Sequence, residues 1–337
     1  MKLARKIKFG SKIFTHKLTG IGIILTRDCN LNCTYCQVIK QNNHRNLKLG
    51  QWKQIIDNLI KNKYLQFVFT GGEPLLYPHI FELIDYTYPK ALTSLITNGT
   101  LLTKENIGKL KNLDFLNISL DALPNDTSFK KTAFKQLPLI YDFAKKFKRK
   151  VFIITCITKK NIEQIPEIIR IISHYKFDFR ISMLHSGGEN HSYRGYHPEL
   201  DFRTEEDMEK IKTFQHQILE MKAQGYRIAE STSFINDIMY HVKKSFQMDC
   251  WASEDYFCIN NDGYLMACHD SLPSQINALD NYTLTDMKAN LKKTLPSDCT
   301  CFYDCYYNRA LFRKNPLKFF KTLLSQKIYG HLFSNKL

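Results

Sequence analysis

Cys29, Cys33 and Cys36 stand within eight residues, in the run Cys29-Asn30-Leu31-Asn32-Cys33-Thr34-Tyr35-Cys36. Three thiolates this close on one loop can hold three of the four irons of an iron–sulfur cube. The fourth iron is then open to a ligand that reacts. The competing chemistry is zinc, but a closed zinc site needs four protein donors and favours paired C-x2-4-C spacing. No fourth cysteine lies near, and His44, eight residues beyond Cys36, is the histidine at hand. A second group, Cys250, Cys258, Cys268, Cys299, Cys301 and Cys305, offers six thiolates. Six fill one cube with two to spare and fall short of the eight that two cubes take. Cys156 stands apart in the apolar run Val151 to Ile157 and reads as a small buried hydrophobe.

The elements that must position these groups show in the periodicity. Apolar, β-branched runs predict strands at Gly22–Leu25, Gln66–Thr70, Thr93–Thr97, Phe115–Leu120, Val151–Ile157 and Phe177–Met183. Helical stretches lie between them, at Gly50–Lys63, Pro78–Tyr88, Lys104–Lys111, Ala133–Phe147 and Ile162–His174. In the first of these Trp52, Ile55, Ile56, Leu59 and Ile60 share one face. Pro138 and Pro166 mark places where the last two helices can begin. Such alternation argues a parallel sheet with right-handed crossovers, whose carboxyl-end loops carry the chemistry. The cysteine run leaves the first strand at that end. Periodicity does not say whether the sheet curls.

Beyond the sixth strand the polar stretch Leu184–Leu200 brings His185, His191, Tyr193, Arg194 and His197 to the same rim, as candidates to meet a substrate. A helical region follows at Glu205–Ala223, within a connector at 201–244. Residues 245–315 are rich in cysteine and poor in periodicity, and 316–337 alternate basic and bulky apolar residues as an amphipathic helix would.

The chain has 337 residues, 44% hydrophobic, room for one large domain and a smaller one. No stretch reaches the ~18 apolar residues of a membrane span. The basic segment 1–20 shows no apolar core of signal-peptide length, and with about twenty residues ahead of the first strand no separate peptide-binding domain is expected there. A cytoplasmic location is expected, where ten cysteines mean metal or redox chemistry rather than disulfides. Net charge is +16, but residues 1–20 carry six Lys/Arg and residues 306–337 seven, with no acid in either, so the body between is near neutral. Cationic ends suit solubility, or an anionic partner such as a peripheral membrane surface.

The spacing C-x3-C-x2-C, Tyr35 ahead of the third cysteine and the later Gly71-Gly72-Glu73-Pro74 together resemble the radical SAM superfamily. The two motifs stand in that family's order, each after an expected strand. The resemblance implies an α/β fold, a partial (β/α)6 TIM-like barrel over residues 21–200 with a smaller cysteine-rich C-terminal domain at 245–315. It implies a [4Fe–4S] cluster on Cys29, Cys33 and Cys36, with its open iron chelated by S-adenosylmethionine. Reductive cleavage then gives a 5′-deoxyadenosyl radical that takes a hydrogen atom from a substrate. By the same resemblance Gly71, Gly72, Glu73 and Pro74 bind the methionine amino group, and Tyr35 flanks the adenine. Asn98, Ser119 and Asp121, at the next strand ends, contact ribose and carboxylate. Asn98 can equally be a left-handed turn residue. Family members often carry an arginine some ten residues further on. Lys130 and Lys131 stand there in this chain, without a bidentate fork.

Cys250-x12-Gly263-x4-Cys268 resembles the opening of the SPASM and twitch extensions, which hold auxiliary [4Fe–4S] clusters. A full SPASM region goes on with five cysteines in a C-x2-C-x5-C-x3-C…C pattern. This chain has Cys299-x-Cys301-x3-Cys305. One auxiliary cluster is expected, on Cys250, Cys258, Cys268 and one of Cys299, Cys301 and Cys305, with Cys305 favoured. A zinc site on four of these thiolates stays open. The expected function is a radical SAM oxidoreductase that modifies a peptide or protein, served by an electron donor such as a flavodoxin or ferredoxin. The same chemistry on a lipid or small anionic metabolite is the alternative, and a non-enzymatic iron–sulfur carrier or sensor a distant one.

Overall fold

The computed structural model describes residues 19–40, 45–185, 197–243, 252–254, 256–295, 302 and 307. The basic ends, His191, Tyr193, Arg194, Cys250, Cys299, Cys301 and Cys305 lie outside the described residues.

Six strands alternate with helices: β1 (Thr19–Ile24), α1 (Leu49–Lys61), β2 (Tyr64–Thr70), α2 (Ile80–Thr87), β3 (Leu92–Thr97), β4 (Phe115–Ser119), α3 (Leu137–Phe147), β5 (Lys150–Ile157), α4 (Ile165–Ser173) and β6 (Asp178–Met183). Helices α5 (Glu205–Ala223) and α6 (Thr232–Val242) follow, then β7 (Tyr256–Ile259), β8 (Tyr264–Met266), β9 (Pro273–Asn277) and α7 (Leu284–Lys293). The sheet runs β6-β5-β4-β3-β2-β1-β7-β8-β9, parallel from β6 to β7 and antiparallel through the last hairpins. It is α/β and unclosed, the partial barrel expected.

All six expected strands form, each within three residues of the expected ends. Pro138 and Pro166 sit in the first turns of α3 and α4, where a missing N–H costs nothing, and a 3₁₀ turn precedes each. The stretch expected as helix at Lys104–Lys111 is instead a 3₁₀ turn, Ile107–Asn112. Gly108 weakens an α-helix there, and its buried anchors Ile107 and Leu110 are three apart, the spacing a 3₁₀ turn aligns. Residues 245–315 show little periodicity; their described residues hold three strands and a helix, and β7 pairs in parallel with β1.

Paired residues of a parallel sheet point the same way. Ile21, Phe67, Leu95, Leu116 and Ile153 face α1–α4 and join Trp52, Ile55, Leu83, Ile140 and Ile168 in the main core. Each such side chain, fully buried, contributes roughly 1.5–3 kcal/mol. The opposite row, Cys258, Gly22, Val68, Ser94, Phe115 and Lys150, lines the inner face. At the amino-terminal ends of β5 and β6, Lys150 donates to Asp178, which also pairs with Arg227 at 2.8 Å. That end is sealed; the loops at the other end are where groups converge.

Candidate iron–sulfur and cofactor site

The loop after β1 carries Cys29, Cys33 and Cys36, of which Cys33 is buried and the other two half-buried. The glycine segment after β2 fixes this loop. Gly72 N–H donates to Thr26 O and Glu73 N–H to Asp28 O, both at 2.8 Å. A Cβ on Gly71, at φ +152°, would lie 2.4 Å from Thr26 O, and one on Gly72 2.3 Å from Asp28 O. Glycine is needed here because two backbones touch. The space a side chain would take at either position is filled by the cysteine loop itself.

Glu73 is fully buried. Its Oε1 accepts from Leu75 N–H at 3.0 Å and from the Thr97 hydroxyl at 2.6 Å, and its Oε2 accepts from Asn98 N–H at 2.8 Å. Burial pushes this carboxyl up, against those three hydrogen bonds. Asn98 carries the contact on to the cysteines: its Nδ2 donates to Asn30 Oδ1 at 2.9 Å and lies 4.0 Å from Cys29 Sγ. Its Oδ1 accepts from Thr100 N–H at 3.0 Å, an Asx turn. The left-handed residue of that turn is Gly99, φ +73°, and not Asn98.

A second constellation sits at the ends of β4 and β5. Buried Asp121 accepts from the Tyr35 hydroxyl and, at 2.9 Å, from Cys156 N–H, and Lys131 Nζ lies 3.7 Å away. The same ammonium lies 5.1 Å from the centre of the Tyr35 ring. Burial works against the Lys131 charge, but Asp121 and the nearby thiols hold its pKa up. Burial pushes the Cys33 thiol up to about 11, with Lys131 pulling the other way. So Lys131 faces Asp121 as a single point charge. Ser119, half-buried at the end of β4, is on the same rim. Cys156, read as a core hydrophobe, is half-buried beside Asp121 instead. Asn161 braces this corner, donating to Asp121 O at 2.7 Å and Cys156 O at 2.9 Å. Nothing in the spacing marks Asn161 or Cys156.

Of the rim candidates, His197 Nε2 lies 3.1 Å from Gln37 Nε2, one residue past Cys36. The His185 ring sits 5.3 Å from that of His241 on α6. Among the described residues no three His, Cys, Asp or Glu side chains converge as on one metal ion. A cube takes each thiolate on its own iron and asks for no single point of convergence. Three thiols on one loop are the donor type such a cube takes.

The second group is half described. Cys258 and Cys268 are buried and pack with Ile24, Ala252, Tyr256 and Met266. Cys258 Sγ and His269 Nε2 each lie 2.9 Å from where a Cβ on Gly22 would be, so this hairpin presses on β1 through a missing side chain. The β7–β8 turn needs Gly263, at φ +97°. Its neighbour Asn261, fully buried, accepts from Arg27 Nε at 2.7 Å and donates to Arg45 O at 2.9 Å. Leu47 N–H donates to Asn261 O at 2.9 Å. The hairpin is thus clamped to the cysteine loop.

Residues 23–172 match the family model of the Radical SAM superfamily. An S-adenosylmethionine-dependent nucleotide dehydratase of Selenomonas ruminantium is 34% identical over 31% of this chain and 39% of its own length. The mycofactocin maturase MftC of Mycobacterium tuberculosis is 30% identical over 52% of this chain and 48% of its own. The chain thus spans half or less of these curated relatives. Among solved structures, Streptococcus suis SuiB bound to its precursor peptide SuiA superposes with TM-score 0.63 at 19% identity, over 84% of this chain and 68% of that one, a likeness of fold.

Proposed function

We propose, on the premise that this chain belongs to the radical SAM superfamily, that it is an enzyme acting on a peptide or protein substrate. A [4Fe–4S] cube on Cys29, Cys33 and Cys36 and a bound S-adenosylmethionine would supply reductive C–S cleavage, giving a 5′-deoxyadenosyl radical that removes a hydrogen atom from the substrate. The observation that carries this reading is the linkage of Cys29 to buried Glu73 through Asn98, next to the Tyr35–Asp121–Lys131 group, all at the carboxyl ends of adjacent strands.

The protein's own residues hold and shape. Glu73 locks the turns after β2 and β3 against each other, so the backbone around Gly71–Pro74 presents fixed carbonyls toward a cofactor ammonium. Lys131, held charged, attracts a cofactor carboxylate, and Asp121 fixes the Tyr35 ring beside the space for an adenine. Asn98 and Ser119 stand where a ribose would lie. The peptide substrate is supported by one solved structure whose name states a bound precursor peptide, and the maturase name of a relative is compatible with it. An auxiliary cube on Cys258 and Cys268, with Cys250 and one of Cys299, Cys301 and Cys305, belongs to the same proposal, as does a flavodoxin or ferredoxin donor.

The test is anaerobic reconstitution, reduction and incubation with S-adenosylmethionine. Formation of 5′-deoxyadenosine is expected, and its loss when Cys29, Cys33 and Cys36 become alanine. Wild-type protein that takes up zinc in place of iron, or thiol-free protein that still turns over, refutes the reading. A small anionic substrate is a second reading, favoured by the name of the nucleotide dehydratase. Product masses from candidate peptides and nucleotides separate the two.

A further inference from the structure

The inner wall of the barrel is open at a level where a closed barrel would be filled. Ser119 on β4, Ile154 on β5 and Arg180 on β6 are paired across the sheet and stand at one level of that wall. All three are half-buried, as are Val68, Ile96 and Ser182 on the same face, whereas the outward Phe67, Leu95, Ile153 and Ile181 are buried. Inward side chains pack into a solid core in a closed barrel. Here they keep contact with solvent above a floor that includes buried Phe115 and Phe152, whose rings lie 6.1 Å apart. Strand spacing puts the Arg180 Cα roughly 10 Å from that of Ser119, two strands along.

Of the three residues at that level Arg180 carries the charge, and its neighbours hold it in place. Its guanidinium carbon lies 5.1 Å from the centre of the Phe152 ring, within cation–π range. Buried Glu230 follows the segment that bridges to β6 through Ile228 and Phe179. Burial pushes its carboxyl up to about 7, with Arg180 first among the groups opposing and Lys222 a weaker one. Nearby on the same strand Asp178 pairs with Lys150 and Arg227. Four cations thus stand about two carboxylates, an excess of positive charge that draws an anion. A guanidinium has five N–H donors in a planar fork, more than one carboxylate takes, so it can serve Glu230 and a second anion together. A phosphate dianion would be repelled by the Glu230 charge more strongly than a carboxylate, which brings a single charge.

We propose that Arg180 binds a carboxylate of the substrate peptide, on an acidic side chain or at the chain terminus, and so selects what is presented inside the barrel. The inference rests on the peptide substrate of the proposed function and deepens it. In that reading Ser119 stands by the ribose, so a group two strands along at the same level falls on the side left for substrate. A bidentate fork gives direction as well as affinity, and direction decides which C–H bond is turned toward the cofactor. Arg180 binds and orients; it takes no part in bond making.

The experiment is a ligand-observed NMR titration on the full chain, reconstituted anaerobically and loaded with S-adenosylmethionine. The probes are N-acetylglutamate α-amide, its neutral isostere N-acetylglutamine amide, N-acetylalanine for a terminal carboxylate, and N-acetylphosphoserine amide. Wild type should bind one of the two carboxylate probes at least about tenfold more tightly than the glutamine probe, the least that a hydrogen bond to a charged group is worth. Arg180→Gln should abolish that preference and Arg180→Lys keep part of it. Arg180→Gln strands the buried Glu230, so the double variant Arg180→Gln/Glu230→Gln repeats the measurement with both charges gone, and thermal midpoints report folding of each. Wild type that binds the glutamine probe as well as both carboxylates overturns the proposal. So does a preference that survives in either glutamine variant, or tighter binding of the phosphate probe. Formation of 5′-deoxyadenosine in the same samples keeps the two readings apart. Wild type that forms it and ignores the carboxylates sinks the role of Arg180 alone; wild type that forms none sinks the enzyme reading.

Discussion

Glu73 shows how much one side chain is asked to hold. Its two oxygens take three donors in a fully buried place. Glutamine has one acceptor oxygen, so whichever way its amide turns, an N–H or O–H donor meets an NH2 group. Glu73→Gln should cost roughly 1–3 kcal/mol, the penalty of a buried unpaired donor, read by chemical denaturation. It should also reduce iron retention, because Asn98 carries the strain to Cys29. Lys131→Met removes the cation facing Asp121 and should weaken S-adenosylmethionine binding about tenfold, equivalent to about 1.4 kcal/mol, with Lys131→Arg largely restoring it. Calorimetry on the reconstituted protein checks both. The cysteines and the Gly-Gly-Glu-Pro segment were legible because each motif is contiguous and follows a strand. Cys156 was misread because an apolar run gives burial on average and not the face: Thr155 and Ile157 turn to the helices, Cys156 to the inner side.

At the scale of elements the β7–β8 hairpin does more than carry cysteines. Arg27 and Asn261, 234 residues apart, meet in a buried hydrogen bond that joins the hairpin turn to the cysteine loop. Asn261→Leu leaves the guanidinium without its acceptor and should destabilise by roughly 1.5–3 kcal/mol, the worth of a hydrogen bond to a charged group. Asn261→Asp, which keeps the acceptor, should keep the Arg27 contact. Urea melts of the two variants, compared with iron content at the first site, measure the coupling. No local pattern announces such a pair, since neither residue's neighbours depend on it. Nor did the hairpin declare itself: β8 spans only three residues, too short for alternation to rise above chance. The longer strands of the barrel gave that signal clearly.

Across the whole molecule stability will follow pH through Glu230. Burial pushes its carboxyl up to about 7 from the ordinary 4.5, with Arg180 and the backbone N–H of Ile181 opposing. A carboxyl raised on folding favours the native state in full below its unfolded pKa, and that favour fades as pH climbs to the folded value. Between about pH 4.5 and 7 this one group should remove roughly 3 kcal/mol of stability. Glu230→Gln should therefore be stabilising at pH 8 relative to wild type and change little at pH 4, in thermal melts across that range. The α/β order was legible from alternation, whereas the nine-strand continuity was not, because the partner on the far side of β1 arrives last. Gly20–Ile23 pairs with Tyr256–Ile259. A ribosome adding about 5–20 residues/s leaves that flank of β1 naked for roughly 10–50 s. The emerging barrel thus offers an open template to any extended neighbour, a natural client for a holding chaperone. Its sulfur loop cannot be clamped until the 234 residues that separate Arg27 from Asn261 have been made, so iron delivery during translation would find a half-built cradle.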